Sequence, residues 1–252
     1  MSLIQTPTDI EYPESDGEPM GETDLHRNWM MRLYELLRYR YEGQSVYIAS
    51  DLLLYYVEGH PQSFVVPDVF VVKDSDPGMR RTFRIWDEGR VPNVVFEVTS
   101  RATRANDEVT KPKTYARIGI RELFLYDPTG DYLKTRLQGY RLDNGDYARI
   151  EPNASGDLDC EELDLHISLN GVDLAIHDRT TGLILPTAAE AHRADAEAER
   201  ATAEAERATA RKERATAEAE RATARKERAA REAADAEVIR LREELKRLRG
   251  TD

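Results

Sequence analysis

The sequence predicts an α/β (α+β) domain, a mixed β-sheet core flanked by helices, followed by one long C-terminal helix. Three observations lead there. Apolar residues recur at three- and four-residue steps early in the chain, and short runs rich in branched and aromatic residues follow them. The last quarter is a repeated, alanine-rich, charged block with no Tyr, Phe or Trp, so a core can form only ahead of it.

The leader comes first. Asp9, Glu11, Glu14, Asp16, Glu18, Glu22 and Asp24 precede the first basic residue, Arg27, and with its prolines the stretch 1–22 is expected to be disordered. The domain is expected over residues 23–187. Leu25, Trp29, Met30, Leu33, Leu36 and Leu37 form one stripe of a helix starting near Thr23 or Asp24. Strands are expected at 46–49 and 52–57, then at Phe64 to Val72 and Val91 to Thr99, each of the last two interrupted by an acidic residue. The polar stretch between them, 73–89, reads as a loop or hairpin. A mainly helical segment over 105–118 precedes a strand at 123–126, and Asp143-Asn144-Gly145-Asp146 marks a hairpin between 132–142 and 147–150 because Asn and Gly accept positive φ.

The tail, 188–252, repeats itself. ERATAEAERATARK at Glu199 to Lys212 recurs unchanged at Glu213 to Lys226, and fourteen residues are two heptads. Ala203, Ala210, Ala217 and Ala224 share a heptad position with Val238 and Leu245, while Leu241 and Leu248 add a second row. This spacing suits a coiled coil that makes the protein a homo-oligomer through residues 190–249; a solvated single helix suits the same composition.

The formal net charge of -12 excludes a generally basic nucleic-acid coat, so any DNA contact needs locally grouped basic residues. Cys160 is the only cysteine, which excludes an intramolecular disulfide and a cysteine-based zinc site and fits a reducing compartment. No signal-peptide pattern opens the chain, and no apolar run approaches the ~20 residues of a membrane helix, so a cytoplasmic protein without membrane contact is expected.

Chemistry concentrates at three points: Pro67-Asp68, Glu97 near the end of an apolar strand, and Lys111 on or near the next helix. Phosphodiester hydrolysis needs an activated water and a stabilised leaving oxygen, and Mg²⁺, or Mn²⁺, supplies both when held by one or two carboxylates. Asp68 and Glu97 are candidate metal ligands, and an ammonium from Lys111 or Lys113 could stabilise charge on phosphorus. Taken singly, each has an ordinary structural reading as a turn, strand-end or surface residue. His26 is open between facing this site from the first helix and serving as a surface or packing residue. Arg80, Arg81, Arg84 and Arg90 are open between holding DNA phosphates and forming a salt-bridged surface loop.

VVPDVFVV, VPNVVFEVTS, the Asp107-Lys111-Tyr115 series and GIRELFLYDP together resemble the Uma-two restriction endonuclease family of the PD-(D/E)XK nuclease superfamily, over roughly residues 21–182. The resemblance implies a restriction-endonuclease-like fold, with Asp68 and Glu97 as acidic ligands, Ser100 as the serine that follows, and Asp107, Lys111 and Tyr115 as the helix series. Thr99 stands where the superfamily usually has lysine, and the resemblance implies that Lys111 takes over that role. Pro112 suits only a helix's first turn, so the helix could start near Thr110 with Asp107 ahead of it. Two functions follow: a Mg²⁺-dependent DNA endonuclease, with RNA as a possible substrate, or a catalytically inactive nuclease-fold scaffold working through its coiled coil. Thr99 and the acidic charge favour the second.

Overall fold

The computed structural model describes residues 12–13, 23–101, 103–104 and 106–249. All of the acidic leader except Tyr12 and Pro13 lies outside the described residues, as does Ala105, where the second long helix was expected to begin. The chain forms two units, divided between Ala191 and His192.

The first unit is a mixed α+β structure. Helix α1 (Asp24–Arg40) starts at Thr23, whose hydroxyl accepts the His26 amide at 3.3 Å, and buries His26, Met30, Leu33, Leu36 and Leu37. The central sheet holds six strands in the order β1 (Val46–Ser50), β4 (Val69–Lys73), β6 (Val94–Val98), β7 (Glu122–Tyr126), β8 (Leu137–Asp143) and β9 (Asp146–Arg149). β6 and β7 pair in parallel, and every other neighbouring pair is antiparallel. The β6–β7 connection must therefore cross a face of the sheet, and it does so through a π-helical turn (Asn106–Thr110) and α3 (Lys111–Ile118).

Both faces are covered, so the inner strands are apolar throughout rather than alternating. On one face, Val69, Val71, Val94, Phe96 and Phe124 pack with α1 and with a three-stranded sheet of β10 (Leu158–Cys160), β11 (Leu165–Asn170) and β12 (Asp173–Asp178). On the other, Phe70, Val72, Val95 and Leu123 pack with Tyr115 of α3 and with a small sheet of β3 (Phe64–Val65), β2 (Leu54–Tyr55) and β5 (Phe83–Arg84). Gly139 of β8 is needed where the layers meet: a Cβ there would sit 2.9 Å from the Phe124 ring and 3.1 Å from Leu158.

Several boundaries differ from expectation. The strand at 52–57 shrinks to Leu54–Tyr55, and the loop at 73–89 contains β5 and a four-residue helix, α2 (Ile85–Glu88). The strand expected from 132 begins only at Leu137, because residues 129–133 wrap the Asp127 carboxylate. The hairpin at 143–146 forms with φ of 51° at Asn144 and 92° at Gly145.

Helix α4 (Ala188–Arg249) begins within the first unit at a capping box. Thr187 donates its amide to Glu190 Oε2 at 2.8 Å and its hydroxyl accepts the Glu190 amide at 3.3 Å. The rest of α4 is the second unit, a single continuous helix. No helix among the described residues is long and apolar enough to cross a membrane.

Candidate active site

Strand register brings the two acidic residues together. β4 and β6 pair antiparallel with Val69 opposite Phe96 and Phe70 opposite Val95, so one further step sets Asp68 opposite Glu97. Both lie at the end of the sheet where the apolar strands stop, and both are buried. The crossover then delivers a cation. Lys111 opens α3 and places its ammonium 2.7 Å from Glu97 Oε2 and 3.2 Å from Asp107 Oδ1.

Each carboxylate is tethered by a different layer. Asp68 Oδ2 accepts the Val98 amide at 2.6 Å and lies 3.1 Å from His26 Nε2 on α1. Glu97 Oε1 accepts the Tyr115 hydroxyl from α3. Tyr115 stands one turn beyond Lys111 and Asp107 one turn before it, so the four-residue spacing places all three on one side of the crossover. The backbone at Asp107 is widened into a π-turn rather than α-helix. Pro112 explains this, since its ring would clash with the Glu108 carbonyl and it has no amide to donate.

Three carboxyl groups, Asp68, Glu97 and Asp107, gather at one ammonium, with the His26 ring beside Asp68, and neither Asp107 carboxylate oxygen has a hydrogen-bond partner, although Oδ1 retains its ion pair with Lys111. Burial pushes the Glu97 carboxyl up to about 8; Lys111 opposes this, and Asp68 and Asp107 add to it. Burial likewise raises Asp107 against the pull of Lys111. At Asp68 burial also acts upward, but Lys111, His26 and the Val98 amide outweigh it and hold the group below the usual carboxylate range. Burial lowers Lys111, yet the three carboxylates more than reverse this and keep it charged.

A divalent cation fits this arrangement. The donors are hard carboxyl oxygens, three carboxyl groups crowd one ammonium, and Mg²⁺ needs only one or two carboxylates beside water and phosphate. Among the described residues, no three His, Cys, Asp or Glu side chains form a ready-made cage. Asp68 and Glu97, set opposite one another by the β4–β6 register, are the pair that could hold a metal.

Other candidates separate by position. Lys113 is exposed and stays out of the cluster, which leaves Lys111 as its ammonium. Ser100 exchanges hydrogen bonds with Thr103, its hydroxyl 3.1 Å from that of Thr103, and so shapes the turn leading to Asp107. Thr99 is buried with an unpartnered hydroxyl and supplies no charge. Arg80 binds Glu88 through Nε at 2.5 Å and Nη2 at 2.9 Å, while Arg84 pairs with Asp87 at 2.7 Å and Arg90 with Asp74 at 3.8 Å. For these three the salt-bridged surface loop is what forms. His26, left open by the sequence, is 1 % exposed and touches Asp68. Its signal was present: it stands four residues before Met30, seven before Leu33 and eleven before Leu37, on the same buried stripe.

No curated protein matches the chain. A solved structure from Anabaena variabilis ATCC 29413, described as a "putative nuclease belonging to DUF820", is similar with a TM-score of 0.40 and 15% identity, over 54% of this chain and 73% of that one. The Uma2 family profile, described as "Putative restriction endonuclease", matches residues 2–175, a span holding Asp68, Glu97, Asp107, Lys111 and Tyr115. The chain therefore belongs to the Uma2 restriction endonuclease family.

Proposed function

We propose that this protein is a metal-dependent endonuclease that hydrolyses DNA phosphodiester bonds, with Asp68 and Glu97 as ligands for Mg²⁺ or Mn²⁺ and Lys111 as the catalytic cation. Family membership suggests nuclease function. The observation that carries the finer reading is the crowding of three buried carboxyl groups around a single ammonium. A bound divalent ion supplies a polarised water and a Lewis acid for the phosphate.

The side chains do the rest. Tyr115 fixes one Glu97 oxygen, and His26 with the Val98 amide fixes one Asp68 oxygen, so the carboxylates are held before any ligand arrives. Lys111 presents a fixed positive charge toward the phosphoryl oxygens as negative charge grows there. Asp107 also holds that ammonium, and Ser100 shapes the turn that carries Asp107. Self-association through α4 would bring two such sites to one duplex. The same chemistry would serve RNA.

Cleavage of supercoiled plasmid by the full chain in Mg²⁺ or Mn²⁺ tests this. Nicking should stop in EDTA and in Asp68→Ala, and Lys111→Ala should lower the rate about 100- to 1000-fold. His26→Asn should cost about 10- to 100-fold through a loosened Asp68. One observation favours a second reading, a non-catalytic scaffold: Thr99 leaves the usual lysine position uncharged. Absence of cleavage on duplex, single-stranded and RNA substrates, with no metal bound by calorimetry, would establish that reading instead.

A further inference from the structure

We propose that the last two heptads of α4, residues 234–249, form a parallel, in-register zipper with a second copy of this chain, while the repeats before them stay unpaired. This rests on the self-association reading above and specifies where, and in which direction, the copies meet.

The register comes from four residues. Val238, Leu241, Leu245 and Leu248 follow one another at steps of three, four and three, which puts Val238 and Leu245 at the a position and Leu241 and Leu248 at d. Val238, Leu241 and Leu245 are 47%, 50% and 53% exposed on α4 and form an apolar row, with Ile239 the one other large exposed apolar side chain described on this helix, at b and off the row. A β-branched residue at a with leucine at d favours two strands.

Charge sets the direction. In this register Glu237 and Glu244 occupy g, and Arg242 and Arg249 occupy e. A parallel in-register pair sets each g residue against the e residue five positions further along the partner, so Glu237 meets Arg242 and Glu244 meets Arg249. An antiparallel pair would set g against g and e against e, opposing Glu to Glu and Arg to Arg. Only the parallel arrangement is complementary.

Charge also sets the limit. Carried back along the helix, the a position remains alanine at 203, 210, 217 and 224, but d becomes glutamate at 206, 213, 220 and 227. Identical d residues face each other in a parallel pair, so every further heptad would bury two like charges. The alanines at 201, 208, 215 and 222 fall at the f position, on the side of the helix away from the a and d rows in the heptad frame, and one partner helix cannot cover both. Thr202, Thr209, Thr216 and Thr223 return their hydroxyls to the carbonyl four residues back, at 2.9–3.0 Å, and need no partner. The repeats are a spacer.

Sedimentation equilibrium of the full chain, combined with cysteine cross-linking, tests the proposal. Cys160 is fully buried and can stay in place. The wild-type chain should dimerise, and Leu241→Glu with Leu245→Glu should raise the dimer dissociation constant about 100-fold or more with helicity unchanged by circular dichroism. Under mild oxidation Leu241→Cys should form a disulfide dimer, and Glu213→Cys should not. A dimer that survives both glutamates, cross-links at 213, or fails to cross-link at 241 overturns the zipper while leaving self-association standing. A wild-type chain that stays monomeric at every concentration overturns both.

Discussion

Asp127, at the end of β7, accepts the backbone amides of Thr129, Gly130, Tyr132 and Leu133 at 2.6–3.0 Å and has no exposed surface. Burial acts to raise its carboxyl, but these amides outweigh it and hold the group below 3.8. A carboxyl lowered in the folded state adds stability above its unfolded value, and that stability is lost as pH falls through the folded one. Asp127→Asn should therefore weaken the fold at neutral pH, by about 2 kcal/mol, and flatten the loss of stability below about pH 3.8. Urea melts of both proteins from pH 2 to 7 measure this; equal acid limbs would remove Asp127 from the account. The same scale shows what could be read from the chain. Asp68, Glu97 and Lys111 stand out as charged groups in or beside apolar runs, whereas Asp107 and Tyr115 came only with the family resemblance, and the structure groups all five. His26 was left open because an uncharged histidine suits a core as well as a site. Lys113 could have been set aside, since two residues along a helix turn a side chain about 200° away from Lys111.

Among the elements, the stretch from Lys73 to Gly89 was the hardest to read. β5 has two residues and α2 has four, too few for either periodicity to register. What orders the stretch is Arg80, whose guanidinium grips Glu88 twice, reaches the carbonyls of Asp76 and Gly78, and lies 3.9 Å from the centre of the Tyr47 ring. Arg80→Ala should lower stability by about 2 kcal/mol in denaturant melts and leave the salt dependence of DNA binding unchanged. A shallower salt dependence in the variant would instead make Arg80 a phosphate contact. The helix after β6 was legible in type but not in kind: sequence placed Pro112 in a first turn, and only the fold reveals the π-turn that carries Asp107.

For the whole molecule, composition alone separated the part that can form a core from the part that cannot. α4 nevertheless starts inside the first unit, where Glu190 caps its own helix and binds Arg32 of α1 at 2.6 Å. A chain ending at Ala191 should keep the melting temperature of the full chain to within about 3 °C, whereas one ending at Thr187 should fall below it. Differential scanning calorimetry of the two truncations decides this; a large loss at Ala191 would show that the second unit supports the first. Sheet order itself was beyond the sequence, because the partner of each strand depends on long-range packing that no local pattern encodes.

The central sheet has one further consequence. Asp68 is tethered by His26 from the layer on one face, and Glu97 by Tyr115 from the layer on the other. Neither layer alone completes the pair. On the proposed reading the protein carries an interlock: a nascent or partly melted chain, with a single layer docked, is harmless to nucleic acid, and cutting power arises only when both halves have closed on the sheet.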